Sequence, residues 1–209
     1  MTVFLTKIND DIDMIAQRLQ ISRRQAKKPR HIQYRFQKDR VMHTLGDFLI
    51  QYCIEQWGEL SPNQWEYQIA KNGKVDIQSA HSIGLYVNLS YSFPYIACAI
   101  DDQPVGLDIE LMKEIDYMSL AHQFSENEFK QVQILKDFYE IWTKKESYTK
   151  MIGEGLVRGI DVYDVTQPLF YKNKEVSFQP FVEYNLMIQL CTVRTKQHEL
   201  VEIPIQNLY

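Results

Sequence analysis

Val105-Gly106-Leu107-Asp108-Ile109-Glu110 stands near the middle of a chain of 209 residues and is typical of a short β-strand. On a strand, side chains two positions apart point to the same face. Asp108 and Glu110 therefore share one face, while Leu107 and Ile109 enter the core. Two neighbouring carboxylates repel each other, and a hard divalent cation such as magnesium gives them a reason to coexist. Taken alone, the spacing favours the simpler alternative of two solvated acids at a strand end.

A second group of charged residues follows in a stretch with strong helical character, Ile134 to Met151. It reads Trp-Thr-Lys-Lys-Glu-Ser-Tyr-Thr-Lys over residues 142–150. Glu146 and Lys150 are four positions apart, so they lie on one helix face. They could add a third carboxylate to a metal site and a cation that offsets phosphate charge. Taken alone, the spacing favours the simpler alternative of a surface ion pair, which is worth a few tenths of a kcal/mol.

The rest of the chain mixes strands and helices, which predicts an α+β fold. Apolar positions with helical spacing indicate a helix from about Lys38 to Trp57, ended by Gly58. Asn72-Gly73 between two alternating segments is typical of a β-hairpin. A strand at Val3–Ile8, a short helix capped by Asn9-Asp10-Asp11 and a capping box at Ser125–Glu128 complete the main predictions. The candidate boundary between two parts of the chain lies near Asp101–Pro104.

Composition excludes several classes of protein. Hydrophobic residues make up 45% and charged residues 24%, which is ordinary globular usage. A formal charge of -4 at pH 7 argues against a global basic surface for nucleic acid. No apolar stretch approaches the length that spans a membrane, and the run at Val3–Ile8 is too short for a signal peptide. Cys53, Cys98 and Cys191 are widely spaced in apolar runs, which predicts buried, reduced thiols, no zinc site and a cytoplasmic location.

One segment, Ser22 to Arg40, departs from the acidic average. It carries eight basic residues against a single acid, Asp39. Such a segment could form a local basic funnel for a phosphate-rich ligand, or it could be an ordinary solvated face. Its basic residues are Arg23, Arg24, Lys27, Lys28, Arg30, Arg35, Lys38 and Arg40. The five histidines of the chain form no pattern typical of a catalytic triad.

The two motifs together are far more specific than either alone. A Gly-x-Asp-x-Glu strand at residues 106–110 and a Trp-x-x-Lys-Glu-x-x-x-Lys helix at 142–150 are followed by Gly153-x-Gly155. This combination resembles the Sfp-type (surfactin-type) 4'-phosphopantetheinyl transferases. Phe124-Ser125-x-x-Glu128 matches a third element of that family. Earlier matches, in order, are Arg35-Phe36 with Asp39, His43-Thr44-Leu45, Gly73-Lys74 and Asn88-Leu89-Ser90, so the resemblance covers roughly residues 20 to 160.

The resemblance implies a reaction and its partners. The family transfers 4'-phosphopantetheine from coenzyme A to a serine of an apo acyl or peptidyl carrier protein and releases 3',5'-ADP. Magnesium is the implied cofactor, coenzyme A the co-substrate and a monomer the implied state, with no role for nucleic acid or membrane. Two alternatives remain open: a non-catalytic module that binds coenzyme A or a carrier protein, and a magnesium-dependent hydrolase of the pyrophosphate.

The resemblance also implies roles for the residues of the two motifs. Asp108, Glu110 and Glu146 match the acids that hold magnesium on the pyrophosphate of coenzyme A. Glu146 matches the proposed base that takes the proton of the acceptor serine. Lys150 matches the lysine that contacts the phosphates.

Further matches concern coenzyme A itself. Lys74 and Ser90 match residues that contact it, and Lys28 and Thr44 match contacts to its adenosine end. Tyr91 stands where the family usually has a histidine that contacts the 3'-phosphate. A phenol offers one neutral hydrogen bond there, so either Lys28 and its basic neighbours supply the charge for that phosphate, or its recognition is weaker.

The fold implied by the resemblance consists of two similar α/β halves related by a pseudo-two-fold axis, with the active site in the cleft between them. We expect the halves to divide near residue 103. Residues 1–103 then supply the coenzyme A contacts, and residues 104–209 supply the magnesium-binding acids and the carrier-protein side.

Overall fold

The computed structural model describes residues 2–27, 34–69, 75–79, 84–183, 185–194 and 197–209. It confirms the predicted α+β class, with four separate sheets and five α-helices in the described residues. The chain forms two compact units, 1–102 together with 199–209, and 103–198. The units differ from the expected halves in the last segment, because Glu199–Glu202 pairs in parallel with Thr2–Lys7 of the first unit. No helix in the described ranges is long and apolar enough to cross a bilayer.

The first unit is built on a four-stranded sheet in the order β11-β1-β5-β4, with a separate antiparallel pair of strands, β2-β3. Two helices pack beside the sheet and share its hydrophobic core. In chain order its elements are β1 (Thr2–Lys7), α1 (Ile12–Ile21), α2 (Gln37–Trp57), β2 (Trp65–Ile69), β3 (Val75–Ser79), β4 (Tyr86–Ser92), β5 (Tyr95–Asp101) and β11 (Glu199–Glu202).

The local sequence explains these elements. The five residues from Ile96 to Ile100 are all fully buried, as expected of a central strand that is covered on both faces. Asp11 caps α1, since its Oδ1 accepts from the amide of Asp13 at 2.8 Å. The predicted long helix is confirmed as α2, which ends before Gly58. The Asn72-Gly73 turn lies outside the described residues.

The second unit contains a three-stranded antiparallel sheet in the order β6-β10-β9, and the long helix α5 lies against it. Its predicted strand at residues 105–110 and its predicted helix at 134–151 are both confirmed. Its elements are β6 (Val105–Leu111), α3 (Tyr117–Ala121), α4 (Glu126–Phe129), α5 (Leu135–Ile152), β7 (Phe170–Tyr171), β8 (Lys174–Glu175), β9 (Ser177–Glu183) and β10 (Leu186–Thr192).

The three cysteines follow the sequence prediction. Cys53, Cys98 and Cys191 are all buried and none forms a disulfide. Cys191 lies on β10, and its Sγ is 3.8 Å from Sδ of Met151 on α5. These thiols therefore act as small apolar side chains in the two cores.

Gly106 sets the distance between β6 and α5. A Cβ at this position would lie within 2.7 Å of the backbone nitrogen of Met151 and closer still to the carbonyl oxygen of Ser147. The obstacles are backbone atoms of a helix, so they cannot rotate away as a side chain can. A glycine at position 106 therefore permits the close helix–strand packing that brings the face of Asp108 under α5.

We predict that Gly106→Ala lowers the stability of the protein by about 1–3 kcal/mol, the usual cost of overpacking a well-packed core. Urea unfolding measures the effect. Gly84→Ala is the matched control, because a Cβ there would meet Cε2 of Tyr86 at an ordinary van der Waals distance of 3.7 Å. Equal stability of both variants would show that α5 does not depend on the glycine.

Candidate active site

An ion pair between β6 and α5 marks the candidate site. Nζ of Lys150 lies 2.6 Å from Oδ1 of Asp108. The carboxylate side chain is 4% exposed and the lysine side chain 29% exposed, so the pair sits at the boundary between core and solvent. A buried carboxylate needs a cation or several hydrogen bonds to stay charged. The structure therefore joins two residues that the sequence had placed in separate motifs.

Glu146 belongs to the same electrostatic group. It lies one helical turn before Lys150 and is half-buried. Burial raises the pKa of Glu146, the nearby ammonium of Lys150 acts in the opposite direction, and the negative charge of Asp108 raises the pKa further. A carboxyl group with a raised pKa holds a proton more readily near neutral pH, which is the property a general base needs.

The remaining predicted acid, Glu110, is half-buried two positions after Asp108 on β6. Within the described ranges, no three side chains of the Asp, Glu, His or Cys type are grouped closely enough to hold a metal ion. The donor chemistry nonetheless fits magnesium, since Asp108, Glu110 and Glu146 offer hard oxygen ligands and Asp108 and Glu146 repel each other. Their role as magnesium ligands stays a prediction.

A second and deeper ion pair fixes α5 in place. Nζ of Lys145 lies 2.6 Å from Oε1 of Glu128, and both side chains are almost completely buried. Oε1 of Glu128 also accepts from the amide of Val165 at 2.8 Å, and its Oε2 accepts from the amide of Ser125 at 2.9 Å. Nζ of Lys145 donates to the carbonyl oxygen of Tyr163 at 2.5 Å. This pair connects α4, α5 and the segment after α5.

The role of the Glu128–Lys145 pair is one that the sequence analysis missed. Lys145 immediately precedes Glu146, and its fixed inward direction sets the rotation of α5. Glu146 and Lys150 are consequently held on the side of Asp108. The confirmed capping box at Ser125 and Glu128 was the available signal, but it accounts for one carboxylate oxygen of Glu128 and says nothing about the other.

Three of the residues predicted to contact coenzyme A lie in the first unit. Oγ1 of Thr44 donates to the carbonyl oxygen of Arg40 on the same helix, at 2.8 Å. Ser90 is buried on β4. Tyr91 points to α2, where its hydroxyl occupies the space that a Cβ on Gly46 would need. Burial raises the pKa of Tyr91, so its phenol stays neutral.

His43 lies beside Tyr91 and extends this aromatic group. Its ring is stacked on Tyr34 with a centroid distance of 4.7 Å and meets the Tyr91 ring edge-on at 5.0 Å. Tyr91 is therefore packed against aromatic and helical neighbours, and its predicted contact with coenzyme A stays a prediction.

The predicted contacts Lys28 and Lys74 lie outside the described residues. In the described part of the basic segment, some cations serve the fold itself. Arg24 forms a bidentate pair with Glu55 at 2.8 and 2.9 Å. Lys27 donates to the carbonyl oxygen of Trp65 at 2.8 Å and lies 3.8 Å from the centre of its ring. Arg23, Arg35, Lys38 and Arg40 are exposed.

Comparison with known proteins shows which family the chain resembles. Residues 104–183, which contain both motifs, match the model of the 4'-phosphopantetheinyl transferase superfamily. The chain is 30% identical to 4'-phosphopantetheinyl transferase gsp of Aneurinibacillus migulanus, over 71% of this chain and 65% of that protein. It is 32% identical to 4'-phosphopantetheinyl transferase Sfp of Bacillus subtilis (strain 168), over 58% of this chain and 56% of that protein.

A third relative is 4'-phosphopantetheinyl transferase psf-1 of Bacillus pumilus, which is 30% identical over 62% of this chain and 58% of its own length. The chain thus spans less than two thirds of the length of each of these three relatives.

Proposed function

We propose that this chain is an Sfp-type 4'-phosphopantetheinyl transferase, and that it transfers phosphopantetheine from coenzyme A to a serine of an apo acyl or peptidyl carrier protein. The other product is 3',5'-ADP. The observation that carries the proposal is the 2.6 Å ion pair between Lys150 and Asp108, with Glu146 in the same electrostatic group. Two motifs that are far apart in sequence contribute to it, and both lie in the region that matches the superfamily.

The reaction is a phosphoryl transfer, which needs positioning and charge neutralisation more than covalent help from the protein. The serine oxygen forms a bond to the phosphorus next to pantetheine, and the bond from that phosphorus to the bridging oxygen breaks. The bridging oxygen leaves with 3',5'-ADP. Glu146 accepts the serine proton, the role that the family resemblance implies for it. Lys150 places its ammonium against the charge on the phosphates.

Asp108, Glu110 and Glu146 are the residues that would hold magnesium. When bound, the ion acts as a Lewis acid on the pyrophosphate oxygens and offsets their charge. Asp108 is the best fixed of the three, because β6 and α5 enclose it. Lys28, Thr44, Lys74, Ser90 and Tyr91 remain proposed contacts of coenzyme A. The pseudo-two-fold relation of the halves and a cleft between them remain implications of the family resemblance.

The release of 3',5'-ADP separates this proposal from its alternatives. The protein is incubated with coenzyme A and magnesium, with and without a panel of apo carriers from fatty-acid, polyketide and nonribosomal peptide synthesis. We expect 3',5'-ADP to appear only when an apo carrier is present. Release without any carrier would indicate a pyrophosphate hydrolase. No release with any carrier would overturn the transferase and favour a non-catalytic binding module.

Lys150 provides a second test within the site. We predict that Lys150→Met reduces turnover about ten-fold or more, since a charged contact to phosphate is worth at least about 1.4 kcal/mol. Lys144→Met is the matched control, because Lys144 pairs with Glu140 one turn away on the same helix at 2.6 Å. Steady-state kinetics and thermal melting are compared. A lowered melting temperature of Lys150→Met with unchanged kinetics would show that Lys150 has a structural role and does not contribute to turnover.

A further inference from the structure

Gln189 on β10 is a buried polar side chain that the proposed mechanism does not use. It is fully buried, and neither Nε2 nor Oε1 of its amide has a hydrogen-bond partner among the described residues. A buried amide without partners costs folding free energy, so its presence in a core calls for an explanation. A methionine or leucine would fill the same space without that cost.

The position of Gln189 supplies the explanation. In the antiparallel pairing of β10 with β6, Gln189 stands directly opposite Asp108. Side chains of opposite residues project from the same face, with Cβ atoms about 4.5–5.5 Å apart. Cys191, two positions along β10, contacts Met151 of α5, so Gln189 also faces α5. Gln189 and Asp108 are therefore neighbours beneath the same helix.

The other neighbours of Gln189 on this face offer little to an amide. Along β10 they are Met187 and Cys191, and across β9 the opposite residue is Pro180. The buried hydroxyls of α5 at Thr143 and Ser147 donate to carbonyl oxygens of their own helix, at 2.8 and 2.9 Å, so their hydrogens are not available to the amide oxygen of Gln189. Among the four sheet neighbours, Asp108 is the strong hydrogen-bond acceptor.

We propose that Gln189 is a positioning residue: when the site is loaded, its side chain turns so that Nε2–H donates to the carboxylate of Asp108, a hydrogen bond that Nε2 does not make in the present arrangement, and holds that carboxylate in the orientation that a metal ligand needs. The inference rests on the proposed function, in which Asp108 is a metal ligand. A neutral donor suits this task, because it orients the carboxylate without neutralising the charge that attracts a cation. Groups that orient metal ligands typically change metal affinity by about 10–100-fold when they are removed.

The test measures metal affinity and stability separately. Mn²⁺, which prefers oxygen ligands as magnesium does, is titrated in the presence of coenzyme A without carrier protein, and free Mn²⁺ is followed by electron paramagnetic resonance. We expect Gln189→Met to bind Mn²⁺ about ten-fold more weakly or worse. Its melting temperature should stay equal or rise, since the change removes a buried amide. The magnesium concentration for half-maximal turnover should rise by a similar factor.

Gln179→Met is the matched control in the same sheet. Gln179 forms two hydrogen bonds of 2.9 Å with the backbone of His198, so its loss should lower the melting temperature and leave Mn²⁺ affinity unchanged. Asp108→Ala distinguishes a failure of the positioning role of Gln189 from a failure of the proposed function, in which Asp108 is a metal ligand. If Asp108→Ala loses Mn²⁺ and Gln189→Met does not, Gln189 has no positioning role while the proposed function stands. Undiminished binding by Asp108→Ala, or no binding by the wild-type protein, would overturn both.

Discussion

Glu146→Gln should reduce turnover by about 10²–10⁴-fold, the usual contribution of a general base, while the fold is retained. Glutamine has nearly the same shape as glutamate but cannot accept the serine proton, and it removes one negative charge from the set of oxygen ligands. Glu146 is half-buried, and burial is the main cause of its raised pKa, so a neutral side chain suits its surroundings. Steady-state turnover with a saturating apo carrier measures the loss.

Glu140→Gln is the matched control for this variant. Glu140 lies on the same helix and pairs with Lys144 at the more exposed side, so its replacement should leave turnover unchanged. A melting temperature near that of the wild-type protein would show that Glu146→Gln is folded. Turnover within a factor of two of wild type would remove Glu146 from the mechanism and leave the base unassigned.

The largest effect on stability should come from Glu128→Gln, at about 3–5 kcal/mol. The change leaves the ammonium of Lys145 in the core without its carboxylate partner, although its neighbours on every side are unchanged. Burial already lowers the pKa of Lys145, and the charge of Glu128 acts against that shift. Urea unfolding at neutral pH gives the free-energy difference.

Two further variants decide whether the loss comes from the unpaired charge. Glu128→Leu combined with Lys145→Met should recover part of the stability, because replacing both members of a buried pair with apolar residues is often close to neutral, whereas the amides of Ser125 and Val165 lose Glu128 as their acceptor. Glu126→Gln is the surface control, since Glu126 pairs with Lys130 in full exposure and should cost under about 0.5 kcal/mol. An equal cost for Glu126→Gln and Glu128→Gln would contradict the structural role of the buried pair.

Local sequence patterns were sufficient to predict most secondary structure in the second unit. Alternation in residues 105–110 and helical spacing in 134–151 each persist long enough to distinguish strand from helix. The pairing of β11 with β1 was not predictable in the same way. It joins residues almost 200 positions apart in a parallel arrangement, and no local pattern in Glu199–Glu202 specifies its partner.

The candidate site was predictable as a set of residues but not as a set of contacts. The i,i+4 spacing suggested that Lys150 pairs with Glu146, whereas its closest carboxylate oxygen, at 2.6 Å, belongs to Asp108 on β6. That contact depends on Gly106, because the absence of a Cβ there lets the backbone of α5 pack closely against β6. The cost of a Cβ at Gly106 arises from helix backbone in a distant segment, so a single sequence does not reveal it.

Neighbouring lysines in one motif illustrate the same limit. Lys144 and Lys145 are adjacent and chemically identical, yet one forms a partly exposed pair and the other is fully buried against Glu128. Which of the two faces the core depends on the rotation of α5 against α4. The helical spacing of apolar residues indicates which face of α5 is buried. The buried carboxylate of Glu128 then determines that Lys145, and not Lys144, points to the core.

The mass of the carrier protein tests the central claim most directly. The chain is incubated with coenzyme A, magnesium and an apo carrier, and in parallel with the same carrier whose acceptor serine is replaced by alanine. We predict that each molecule of the first carrier gains the mass of one phosphopantetheine group, matched by an equal amount of 3',5'-ADP, and that the alanine carrier stays unmodified. An unmodified serine carrier, with coenzyme A intact or hydrolysed, would contradict the account.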